Sequence, residues 1–195
     1  SRRVSNMAKI LPKAVEKRIK GLIYERADAF GYACRNRTDN SIFMDELVSD
    51  PEIGGILREY YPGERVRTYI KDAVLNAYTK QKNKQILNAL DLPKILTRLY
   101  GEDISFVQNI DTDTSLLRAQ SGRLYVVGKG TILKWETALR RALDAIANHP
   151  NLQQDGVYPR ICLMLAVING DVTEADKDHI RAAIEAIGVR VYFCG

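Results

Sequence analysis

Between residues 9 and 30, Leu11, Val15, Ile19, Leu22, Ile23 and Phe30 recur at intervals of three, four and seven, which places apolar side chains on one stripe of an α-helix. Lys13, Lys17, Arg18 and Lys20 flank that stripe, so the predicted helix is amphipathic with a basic back. The stretch "CRNRTDNS" reads as a loop. Ser49, Asp50, Pro51 and Glu52 have the form of a capping box and predict a second helix running to about Tyr61, where Pro62 and Gly63 break it. In "ERVRTYIKDAVLNAYTK" a third helix presents Val66, Ile70, Val74 (or Ala73) and Ala77 on one face. Helix, short turn and basic helix are compatible with a helix-turn-helix that docks in a DNA groove, and equally with a plain helical cap.

After "KQKNK" the periodicity changes. A helix is predicted from Gln85 to Tyr100, with Pro93 marking a kink or a break. "DISFVQNI", "TSLLRAQ" and "RLYVVGK" read as strands, the last two joined by a two-residue hairpin at Ser121 and Gly122. Thr131 to Asn148 reads as a helix stopped before Pro150, and "RICLMLAVI" as a strand buried on both faces. Asp171 or Thr173 caps a further helix ended by Gly188, and "VRVYFC" is a last strand. The order α-β-β-β-α-β-α-β predicts an α/β fold of the α+β kind, a mixed β-sheet flanked by helices. This order implies two domains: a helical, basic module over residues 1–84 and a mixed α/β core over residues 85–195, a division that 195 residues can accommodate.

The composition, 46% hydrophobic and 27% charged, is that of a globular chain. No apolar run approaches the ~20 residues needed to cross a bilayer, so a soluble protein without a membrane partner is expected. "SRRVSNMAKILPK" lacks the apolar core of a secretory signal, and Met7 is a candidate natural start, with residues 1–6 a leader. Cys34, Cys162 and Cys194 are odd in number and far apart, which argues against a disulfide framework or a thiolate zinc site and for a reducing cytoplasm. With only His149 and His179, a histidine-rich metal site is excluded and a histidine-based nucleophile pair is poorly supported. Residues 1–100 hold 19 Lys and Arg against 12 Asp and Glu, whereas residues 101–195 hold 10 against 12. A basic half beside a slightly acidic half points to a polyanion, with duplex DNA the first candidate and Arg65, Arg67, Lys71, Lys80, Lys82 and Lys84 as its contacts. A solvated basic surface is the alternative.

Candidate chemistry centres on "GRLYVVGKGTILKWE". Strand alternation puts Tyr125, Val127 and Lys129 on one face, so Lys129 projects from a strand end between two glycines. A phosphate-binding P-loop is rejected: five residues separate the glycines where four are needed, and Gly130 replaces the Ser or Thr that should come after the lysine. In the next helix, Ile132, Leu139, Leu143 and Ile146 form an apolar stripe, and at ~100° per residue Glu136 falls in its middle. A carboxylate on a buried face needs a cation, a metal or donors, and Lys129 or Arg140 could supply the charge. Asp111 and Asp113 precede the second strand, where they could converge on Lys129 or simply build an Asx turn.

The element order and the sequence of Asp113, a hairpin, then Lys129 resemble the restriction-endonuclease-like PD-(D/E)XK nucleases, over about residues 85–170. Val127 stands where that family's second acid would be, and no proline precedes Asp111 or Asp113. By resemblance, Glu136 would supply the missing acid from the helix. The resemblance implies a restriction-endonuclease-like core with Asp113, Lys129 and Glu136 as catalytic residues. It also implies Mg2+ held by Asp113, Glu136 and Asp111, and a homodimer that cuts duplex DNA. Two other readings stay open: a catalytically inactive nuclease-like DNA-binding or defence-associated protein, and an anion- or RNA-binding α/β domain using the glycine-flanked lysine as a hook.

Overall fold

The computed structural model describes residues 9–195, so Met7 and the leader expected before it lie outside the described residues. The chain divides into two compact units: residues up to Lys82 together with Asn169–Asp171, and Asn83–Ile168 together with Val172–Gly195. No helix among the described residues is long and apolar enough to cross a membrane.

In the first unit, α1 (Lys13–Phe30) forms as its apolar spacing predicts, burying Ile19, Ile23 and Ala27. It ends at Gly31, whose φ of 73° closes the helix in the left-handed region that glycine adopts without strain. The segment read as a loop instead begins α2 (Arg37–Ser49). Asn36 is the reason, its side chain accepting from the Asp39 amide at 2.8 Å as an N-cap. Phe43, Met44 and Leu47 then pack on α1, with the Phe30 and Phe43 rings stacked at 4.6 Å.

The capping box at Ser49 is not formed. Ser49 ends α2, Asp50 accepts from the Glu52 amide in a tight turn, and its carboxylate pairs with Arg26. Only Gly54–Leu57 is helical beyond it (α3). Gly54 rests against α2 so closely that a Cβ would stand 1.9 Å from the Val48 carbonyl oxygen. That contact leaves no room for a helix from Ser49 to Tyr61, and α3 is too short to be the first member of a helix-turn-helix.

From Glu64 one helical rod runs through α4 (Glu64–Thr68), a π segment (Tyr69–Leu75) and α5 (Asn76–Asn88). Val66, Ile70 and Val74 face inward as expected, but the wider turn rotates the stripe. Leu75 and Tyr78 are buried while Ala73 and Ala77 face solvent. The "KQKNK" run stays helical within α5, and α6 (Leu92–Tyr100) starts afresh behind an Asp91 N-cap. Pro93 therefore marks the expected break rather than a kink, sitting in a first turn where its missing amide costs nothing.

The second unit is a five-stranded mixed sheet in the order β1-β2-β3-β4-β5. β1 (Ile104–Asn109), β2 (Thr114–Ala119) and β3 (Leu124–Thr131) form an antiparallel meander. β4 (Arg160–Ala166) and β5 (Arg190–Cys194) add in parallel. The β2–β3 turn is one residue longer than predicted, since Ala119 already pairs with Arg123 and Gly122, at φ 90°, closes a three-residue loop. α6 covers one face over Leu117, Tyr125, Val127, Cys162 and Met164. The other face carries α7 (Trp135–Asn148) and α8 (Glu174–Glu185), the latter capped by Thr173 rather than Asp171. The class is α+β with a mixed sheet flanked by helices.

Gly128 and Gly130 lie on the α7 face of β3. A Cβ on Gly128 would come to 2.7 Å from the Ala138 carbonyl oxygen, and one on Gly130 to 2.9 Å from the Ala138 Cβ. Ala138, Ala142 and Ala145 are accordingly the buried residues of α7. Gly128→Ala is expected to destabilise by about 1–3 kcal/mol through overpacking. Gly21→Ala, on exposed helix with nothing within 4 Å of the new methyl, is expected to stabilise by roughly 0.5–1 kcal/mol. Urea unfolding of the two variants checks both signs.

Candidate functional site

The nuclease-like site is expected where β2 begins and β3 ends, and the backbone does bring those ends together. The Lys129 amide donates to the Asp113 carbonyl at 2.8 Å. The side chains diverge. Because Gly128 and Gly130 face α7, alternation sends Lys129 to the opposite, α6-covered face, beside Val127 and opposite Met164 of β4. Lys129 is half-buried and enters no ion pair among the described residues.

Asp113 precedes the first paired residue of β2, inside the turn from Ile110 to Thr114, so strand alternation does not govern it. Its carboxylate lies 3.0 Å from the Arg141 guanidinium of α7. Asp111 plays the turn role: its Oδ1 accepts from the Asp113 amide at 2.8 Å. Partial burial pushes the Asp111 carboxyl up, but the hydrogen bonds donated within the turn, with Arg141 nearby, outweigh it and hold the group below the ordinary carboxylate range.

Glu136 does not occupy a buried stripe. It is exposed in the first turn of α7 and forms no ion pair with Lys129 or Arg140. The phase of the helix explains the difference. Ile132 belongs to a 3-10 turn (Ile132–Lys134) ahead of α7, so ~100° steps counted from it misplace every later residue of the helix. The buried face runs through Ala138, Ala142 and Ala145, flanked by Trp135, Leu139 and Ile146, and leaves Leu143 half exposed. Arg141 stands five residues after Glu136, about 140° around the helix, so the group that meets Asp113 points away from Glu136.

Asp111, Asp113 and Glu136 thus do not converge on one point, and among the described residues no group of three or more His, Cys, Asp and Glu side chains is placed to hold a metal ion. As they stand the three carboxylates do not fit a Mg2+ site. Reasoning along the chain missed Arg141, and no local signal marks it, because the pair joins residues 28 apart only once α7 lies on the sheet.

The six candidate DNA contacts separate into two kinds. Arg67 is held by Asp45 and by the Ser41 hydroxyl at 2.8 Å. Lys82 pairs with Asp28 at 2.7 Å and lies over the Tyr78 ring. Both are occupied in the first unit's own packing. Arg65, Lys71 and Lys80 of the first unit, and Lys84 at the start of the second, are exposed and enter no ion pair among the described residues. The chain matches no family model, no curated protein and no solved structure.

The depressed Asp111 carboxyl makes its contribution acid-labile: present above the unfolded carboxyl's pKa, it is lost as pH falls through the lower folded value. Asp111→Ala should therefore unfold at lower urea than the parent near pH 7, with the gap narrowing below the ordinary carboxylate range. A gap independent of pH from neutrality to acid counts against this account.

Proposed function

We propose that the protein binds duplex DNA through its first unit and carries, in its second, a nuclease-like core whose acids serve structure instead of cleavage. The supporting observation is an unequal use of charge in the first unit. Glu16, Asp28, Asp39, Asp45, Asp50 and Glu52 are taken up in ion pairs, and the acids exposed without one among the described residues, Glu25, Glu46, Glu59, Glu64 and Asp72, are outnumbered by unpaired bases. Lys13, Lys17, Arg18, Arg65, Lys71 and Lys80 remain exposed without a pair among the described residues. Lys13 and Lys17 stand one turn apart on α1. Cations already neutralised by carboxylates release no counterions on meeting phosphate, whereas free ones do. The Asp113–Arg141 pair supports the non-cleaving half of the reading.

A second reading, a Mg2+-dependent restriction-type endonuclease acting as a homodimer, is favoured by one observation. Asp113 and Lys129 are backbone neighbours across β2 and β3, as the resemblance implies. It requires the Asp113 carboxylate to leave Arg141.

Fluorescence anisotropy with a labelled duplex, read across a salt series, distinguishes the contacts. Binding should weaken with salt, and Lys17→Ala or Lys71→Ala should each lower the slope of log K against log salt by about 0.9. Arg67→Ala, a paired cation, should leave the slope unchanged. An affinity indifferent to salt would remove the DNA reading. Plasmid incubated with the protein and Mg2+ should stay intact; Mg2+-dependent nicking that disappears in Asp113→Ala would establish the endonuclease in its place.

A further inference from the structure

Three arginines gather at the other end of the sheet from Lys129. Strand alternation places Arg123, just before β3, on the face of Tyr125 and Val127, Arg160 on the face of Cys162, and Arg190 on the face of Tyr192 and Cys194. Parallel register sets Tyr125 beside Arg160 and Cys162 beside Arg190. The guanidiniums therefore step diagonally across three neighbouring strands, on one face.

Like charges so arranged repel one another across a sheet, yet these are held in place. The Arg160 and Arg190 guanidiniums lie 5.8 and 5.7 Å from the centroid of one ring, Tyr100 at the end of α6. Arg123 Nε is buried and finds no hydrogen-bond acceptor among the described residues, an orphaned donor that ordinarily has a partner.

One acid reaches the group, and only at Arg190. Glu102 accepts from the Tyr125 hydroxyl at 2.7 Å and makes no ion pair with any of the three. Glu185 lies 3.8 Å from Arg190 Nε and is shared with Arg181 at 3.7 Å. A cavity of about 410 Å3 opens on the cluster, lined by Tyr100, the three arginines, Tyr158 and Ile187 among others. Tyr158 is 61% exposed and Ile187 62% exposed, and both line the cavity, so apolar side-chain surface stands beside a concentrated positive charge.

We propose that this cavity binds a phosphomonoester carried on a planar base: a free mononucleotide or the 5′-phosphorylated end of a strand. Guanidinium groups match phosphate oxygens with paired donors, and Arg123, Arg160 and Arg190 line one cavity with three of them. The Tyr158 ring stacks on the base, a contact open to any base because every base has a π-face. The volume lies within the range of small-ligand sites. The inference is independent of DNA binding by the first unit, since every residue involved belongs to the second.

Isothermal titration of the full chain with AMP, adenosine, inorganic phosphate and a 5′-phosphorylated tetranucleotide tests it. AMP should bind saturably and at least tenfold tighter than either adenosine or inorganic phosphate. The tetranucleotide matching AMP assigns the ligand to a strand end, and its exclusion assigns a free nucleotide. Arg123→Gln combined with Arg160→Gln should abolish AMP binding. Because that pair could unfold this end of the sheet, Tyr158→Ala, at an exposed position, supplies the second arm. It should weaken AMP on the order of tenfold and leave inorganic phosphate unchanged. No saturable AMP binding at millimolar concentration, equal affinity for AMP and adenosine, equal affinity for AMP and inorganic phosphate, or a Tyr158→Ala variant that binds AMP as the parent does, overturns the proposal.

Discussion

The second unit is organised around the close approach of α7 to β3. Two glycines on one face of the strand and three alanines on the facing stripe of the helix let the backbones come nearer than ordinary side chains allow. Methyl groups replace longer side chains at the contact, so the interface is thin and stiff, and each added carbon is felt. The face that Lys129 takes is a by-product, because a strand with glycines turned toward a helix must turn the residue between them away. The same approach brings Arg141, next to Ala142, within reach of Asp113. A pair of glycines that looks like a ligand cradle is occupied by the protein's own helix.

The first unit balances its charges differently. About half of its acids are spent locally, and Asp28, Asp45 and Asp50 among them tie α1, α2 and the rod that begins at Glu64 together at their rims. Such half-exposed pairs are worth little individually, commonly within about 1 kcal/mol. Their larger consequence is to sort the basic residues into paired and free. Net charge counts both kinds alike, whereas only the free ones remain for an outside anion. The π segment contributes by turning Leu75 and Tyr78 inward, so that the rod continues its packing past Ala73 and Ala77.

At the opposite end of the second unit the reverse holds. Arg123, Arg160 and Arg190 share a face with Glu185 their one paired carboxylate, at Arg190, while an aromatic ring steadies Arg160 and Arg190. An aromatic ring orders a guanidinium without cancelling its charge.

Elements whose periodicity is local could be read along the chain. Short apolar runs and the hairpin signal at Ser121 and Gly122 located β1, β2 and β3, the unbroken apolar run located β4, and the three-to-four spacing located α1. The order of these elements was enough for the α+β class and the mixed sheet. The chain's own chemistry also set the turn at Asp111 and the cap at Thr173, since each bond spans only two or three residues. Side-chain destinations were decided by tertiary structure. The exposure of Glu136 depends on a 3-10 turn that resets the helix phase, and on a packing distance that favours alanine over leucine at the buried stripe. The Asp113–Arg141 pair, the Gly54 contact with Val48 and the arginine row each join residues brought together by packing. Such contacts arise from the relative placement of whole elements, which no local spacing encodes.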